Sequence, residues 1–150
     1  MRPAHLPLRL ATGAYILNSG LTKRDLEGQP AAGLQGMAAN AFPMVRRMPP
    51  ERFARLLSVG EIALGTALLA PLVPSALAGL GLAAFGGGLV RLYLKTPGMH
   101  EPGDVRPTPQ GIGLAKDVWL LGAGLTLLFD GLSGRRGPGP ATESAARRGA

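Results

Sequence analysis

An acidic residue inside an apolar run is the first feature of this sequence with chemical content. Glu61 sits in Leu56-Leu57-Ser58-Val59-Gly60-Glu61-Ile62-Ala63-Leu64-Gly65, nine residues beyond Arg52, and residues 62–90 contain no charge. On a helix, nine residues rise roughly 13 Å, so a helix entering lipid at Arg52 carries Glu61 to near the bilayer centre. A charge at that depth costs on the order of 2.5–3.5 kcal/mol, and each Leu returns only about 0.3–0.6 kcal/mol. Glu61 is therefore expected to face other helices and to be protonated or paired. Depth along the helices selects Arg91, Lys116 and Asp117 as its partners, in the same half of the membrane or just above it. Arg9 approaches from the opposite face as a fifth member. This cluster suits a quinone head or a small oxyanion, with Arg91 and Lys116 clamping the anion and Glu61 carrying a proton. The alternative is an ion-pair network that fixes helix packing, with Arg91 and Lys116 snorkelling to the headgroups. No complete catalytic motif is present, so the residues leave enzymatic activity open.

Other suggestive residues carry less. Gly79-Leu80-Gly81-Leu82-Ala83-Ala84 resembles a dinucleotide fingerprint, but it follows no strand and lies in an uncharged run, so helix packing is its expected role. Gly86-Gly87-Gly88 also invites a close neighbour. His5 and His100 flank the apolar segments and make a poor haem pair. Tyr15 and Asn18 are expected to hydrogen-bond across helices. The chain contains no cysteine, which excludes disulfides and thiolate metal sites on this chain.

The elements that must position these residues are apolar helices. Hydrophobic residues are 46% of the 150, charged residues 17% and aromatics 5%, and there are 23 glycines. Gly and Ala bury little area in water, but they let helix backbones approach closely in lipid. The net charge is +7, with basic residues at the ends of the apolar segments: Lys23 and Arg24, Arg46 and Arg47, Arg52 and Arg55, Arg91 and Lys95, Arg135 and Arg136. That placement suits anionic headgroups, and no soluble domain remains to bind nucleic acid.

Residues 52–73 and 75–94 read as two spans separated by Pro71 and Pro74. Residues 6–21 form a first span. They resemble a signal-peptide core, but no small-x-small cleavage site follows, so the segment is expected to stay. Residues 114–132 form the last span, with Trp119 near one edge. Between the first two spans, Leu34, Met37, Ala38, Ala41, Phe42 and Val45 repeat with helical spacing, interrupted by Pro43. This segment is expected to lie on the bundle as an interfacial or re-entrant helix. Residues 96–109 are a Pro- and Gly-rich loop, and 133–150 a disordered basic tail. The expected fold is all-α: an integral membrane four-helix bundle, residues 1–132, with an extra amphipathic helical segment between the first two spans. Charge bias leans weakly toward a cytoplasmic location for the side bearing Lys23 through Arg55, Lys95 and Arg106.

The stretch Leu8-Arg9-Leu10-Ala11-Thr12-Gly13, with Gly20 and Lys23, resembles the first helix of the DoxX/DoxD-like small bacterial membrane proteins. Gly60-Glu61-Ile62 with Gly65 resembles that family's second helix, and Lys116-Asp117 with Leu120-Leu121-Gly122 its last. The resemblance covers about residues 6–132. It implies a multi-pass four-helix bundle in the bacterial cytoplasmic membrane. It also implies an accessory subunit of a membrane redox complex, of the kind linked to thiosulfate:quinone oxidoreduction and to thiol or oxidative stress. Arg9, Glu61, Lys116 and Asp117 match its polar pattern. Without cysteine, a membrane or soluble partner protein would supply the sulfur or flavin chemistry, with quinone as the one ligand expected here. A small-solute transport module and a structural subunit anchoring a partner through residues 34–45 are the alternatives.

Overall fold

A computed structural model describes residues 3–133; the expected basic tail lies outside them beyond Ser133. Every regular element among the described residues is helical. After a 3-10 turn at Pro3–His5 come α1 (Leu6–Thr22), α2 (Gly28–Ala41), a 3-10 turn at Pro43–Arg47, α3 (Pro50–Leu69), α4 (Ser75–Lys95), the single turn α5 (Ile112–Ala115) and α6 (Val118–Ser133).

Proline sets most of these limits. Pro50 opens α3, where the missing N–H has no partner to lose. α3 stops at Leu69, four residues short of the expected limit at 73, because Pro71 pushes Ala70 out of the helical region to ψ 119°. Pro43 ends α2 as expected and starts a 3-10 turn instead. The helical amphipathicity of residues 34–45 is thus divided between two elements, and α2 reaches back to Gly28, at φ +59°. The last span is also interrupted. Between α5 and α6, Trp119 N–H donates to Lys116 O (3.3 Å) and Leu120 N–H to Asp117 O (3.0 Å), three residues back rather than four.

The four long helices associate as two antiparallel pairs. α1 packs along α3 and α4 along α6, with few contacts between α3 and α4 or between α1 and α6. Small residues make each seam. A Cβ on Gly65 would stand 2.6 Å from Leu17 N, and one on Gly79 would stand 2.5 Å from Leu128 N. Only glycine permits backbones that close, the packing device of helices in lipid. The seams fix the registers: Gly20 lies against Glu61 and Ile62, and Gly86 against Leu121. Ile16, Leu68, Leu82, Leu120 and Leu127, all fully buried, join the pairs into one core at mid-height and toward the α3–α4 turn. At the other end the pairs stand apart, and α2 lies across α3 and α4.

Two helices are long and apolar enough to cross a membrane: Ser75–Lys95 and Ile112–Ser133, the latter running through α5 and α6. Large apolar side chains also face outward, among them Leu10, Leu21, Leu56, Val59, Leu80 and Phe129.

Candidate functional site

Charge is buried at both ends of the bundle, in two unlike centres. At the α3–α4 turn, Arg9 reaches from α1 into the end of α3 and is only 1% exposed. Its Nε donates to Leu68 O (2.7 Å). Nη1 donates to Val73 O (2.9 Å) and Ser75 Oγ (3.2 Å), and Nη2 to Ala67 O (2.9 Å) and Ala70 O (2.8 Å). A guanidinium has five N–H donors, and five hydrogen bonds leave none over. The acceptors include carbonyls that the ending helix leaves without intrahelical partners, and a cation there opposes the negative end of the helix dipole. Arg9 is thus a C-terminal cap delivered from another helix. Beside it, His5 Nδ1 meets Ser75 Oγ at 2.9 Å, and Nε2 pairs with the Asp130 carboxylate near the end of α6. Serine, histidine and carboxylate are a hydrolase set by type, but Ser75 and His5 are both buried, so the set ties helix ends together.

At the opposite end the separation of the pairs leaves a cavity of about 500 Å³, within the size range of small-ligand sites. Phe85, Gly88, Leu89 and Leu92 of α4 form one wall, with Leu114 and Asp117 from the α5–α6 region. Tyr15, Ser19 and Lys23 come from α1 and its end, Phe53, Leu57 and Glu61 from α3. Leu34, Met37, Ala38 and Phe42 cover it from α2 and its end. The cover is pinned. Gln35 Nε2 donates to Val45 O (2.9 Å) and Met48 O (2.7 Å), and Arg91 Nε donates to Ala41 O (3.0 Å). The Arg91 guanidinium also lies 5.4 Å from the centre of the Phe42 ring, a cation–π contact.

Glu61 is 3% exposed. Its Oε2 accepts from Lys23 Nζ at 2.9 Å, and the same ammonium donates to Ser19 O (3.1 Å) and Ser19 Oγ (2.6 Å). Gly20 makes this pairing geometrically available by letting the Glu61 segment of α3 lie against α1, and Ser58 Oγ seals the contact by donating to Gly20 O (2.7 Å). Lys23 caps the C-terminus of α1, where the helix dipole also favours a cation. Tyr15 sits beside Trp119, ring centres 5.9 Å apart, bridging the two pairs.

Of the five residues expected to cluster, Glu61 and Asp117 line the cavity. The other three are corrections. Arg9 belongs to the far end. Arg91 lies two residues from Leu89, about 200° round the helix, so it faces the end of α2 rather than Glu61. Lys116 is exposed, since adjacent residues on a helix point about 100° apart and Asp117 takes the inward position. Glu61 is also shallower relative to α1 than counting from Arg52 implies: it lies level with Gly20, in the last turn of α1. Among the described residues Tyr15 and Asn18 make no cross-helix hydrogen bond; Asn18 is exposed. Lys23, the partner of Glu61, lies outside the expected cluster because depth along single helices does not carry the register of the α1–α3 seam. Its four-residue spacing from Ser19 was the available signal. His5, Ser75 and Asp130 carried a weaker one, lying at the same end of their respective segments. No family model, curated protein or solved structure matches this chain.

Proposed function

We propose that this chain is a multi-pass protein of the bacterial cytoplasmic membrane, a four-span bundle of the DoxX/DoxD-like kind. In this reading its cavity holds the head of a lipophilic ligand of the quinone class, as an accessory subunit of a membrane redox complex. Two helices of crossing length, outward apolar side chains and glycine seams support the membrane reading. The observation that carries the ligand reading is a mainly apolar cavity with an ion-paired carboxylate, Glu61, at its edge. Such a volume suits a greasy ring, and its few polar groups orient the head. An oxyanion fits less well. Arg91 and Lys116 lie outside the cavity lining, and the ionisable acid and base groups nearest its polar side are two carboxyls and one ammonium already engaged with Glu61.

Trp119, the single tryptophan, touches Tyr15 of the cavity wall and reports on it. The test is titration of the purified chain in detergent with a short-tailed quinone. Saturable quenching of Trp119 fluorescence is expected, weakened in Glu61→Gln. Quenching that rises linearly without saturation in the unaltered chain would remove the ligand reading.

A further inference from the structure

The polar groups facing the cavity are unequal in kind. Lys23 has three N–H donors, and all three are used, on Ser19 O, Ser19 Oγ and Glu61 Oε2. The lining's one cation therefore has no proton left to offer a ligand. Glu61 accepts at Oε2 only. Its Oε1 has no hydrogen-bond partner among the described residues and is not sealed from the surroundings, on a residue that lines the cavity. As the carboxylate partner of the Lys23 ammonium, Glu61 accepts hydrogen bonds and donates none. Asp117 supplies a second carboxyl on the wall contributed by the α5–α6 region, with no ion pair to any described residue. The hydroxyls of Tyr15 and Ser19 are neutral and serve either way. Glu61 thus offers a charge-assisted acceptor while the lining's one cation has no donor to spare, and a carbonyl placed against Glu61 Oε1 meets repulsion rather than a hydrogen bond.

We propose that the cavity binds the reduced, dihydroxy form of a quinone-class ligand in preference to the oxidised, dicarbonyl form. The proposal rests on the ligand reading above. The two forms differ by two electrons and two protons, and the added protons are what the cavity recognises: one hydroxyl donates to Glu61 Oε1, and Asp117 takes a second. A hydrogen bond to an ionised group is about twice as strong as a neutral one. One such bond gives a preference of at least about tenfold.

The experiment measures both forms of one short-tailed quinone against the full chain in detergent, anaerobically for the quinol, with Trp119 fluorescence as the readout. The expected result is quinol bound at least about tenfold tighter. Asp117→Asn and Glu61→Gln each put an amide donor at the cavity, and each should narrow the ratio; Asp117 is half-exposed, so its variant keeps the test open if Glu61→Gln does not fold. Equal or inverted affinities in the unaltered chain overturn the preference and leave the ligand reading standing. Failure of both forms to bind overturns the ligand reading itself. A tail-matched pair, decylamine and decanoate, tests donor selection without any quinone: displacement of bound quinol by the amine but not the carboxylate supports the proposal, and the reverse order overturns it.

Discussion

Arg9 and Glu61 are equally hidden from solvent, yet their surroundings differ in one respect. Every donor on Arg9 has an acceptor, four of them backbone carbonyls of a helix end and its following turn. Glu61 is held at one oxygen only among the described residues, and it lines a cavity. A buried charge whose hydrogen-bonding capacity is filled by backbone fixes geometry, because any movement breaks several bonds together. A buried charge left partly unfilled beside empty volume is poised for something that enters. Burial alone does not tell these apart; the count of remaining donors and acceptors does.

The strongest way to break this contrast is at the closed end. Arg9→Met leaves the carbonyls of Ala67, Leu68, Ala70 and Val73 without their partner. We expect a loss on the order of 3 kcal/mol or more, read as a large drop in thermal unfolding temperature in detergent. An unaltered melting curve would show that water or lipid replaces the guanidinium and that the clamp is not structural. Next in size is Gly65→Val. Its Cβ meets Leu17 backbone at 2.6 Å, so the α1–α3 seam must open. A cost of about 1–3 kcal/mol is expected, together with loss of ligand-induced Trp119 quenching, because Lys23 and Glu61 move apart. Glu61→Gln comes third. Lys23 is partly exposed and can re-solvate, so stability should fall by only about 1 kcal/mol while ligand affinity falls by tenfold or so. A stability loss matching that of Arg9→Met would erase the distinction between the two ends.

The smallest effect concerns pH, in the loop between α4 and α5. His100 is held above its ordinary value of 6.5, first by its hydrogen bond to Glu101 O and then by that to Leu94 O, with desolvation opposing. A raised folded-state value means that the imidazolium contributes stability fully below the unfolded value and loses it as pH climbs through the folded one. Order in the loop at residues 96–111 should therefore decline as pH rises from 6.5, and His100→Gln should flatten that response in amide exchange. An NMR titration placing His100 at or below 6.5 would contradict this.

Much of the scaffold was legible in the residues. Pro71, Pro74 and the long uncharged run mark the α3–α4 hairpin, Pro43 marks the break after α2, and Glu61 announces itself by its setting. The partners were less legible for two physical reasons. Lys23 meets Glu61 only after the Gly20 and Gly65 contacts set the α1–α3 register, a long-range packing outcome. Four of the five acceptors of Arg9 are backbone carbonyls, which every residue carries, so no sequence pattern marks them. Adjacent Lys116 and Asp117 do not share one cluster, because helix geometry lets only one of them face inward.

The capping of α3 by Arg9 also bears on how the chain is made. α1 leaves the ribosome while residues 67–73, the source of its carbonyl acceptors, have yet to be synthesised. During that interval the guanidinium lacks the four carbonyls that fill most of its hydrogen-bonding capacity in the folded chain. α1 therefore reaches its packed position only after α3 and the turn that follows it have been made, which ties the fold of the N-terminal half to completion of the α3–α4 turn.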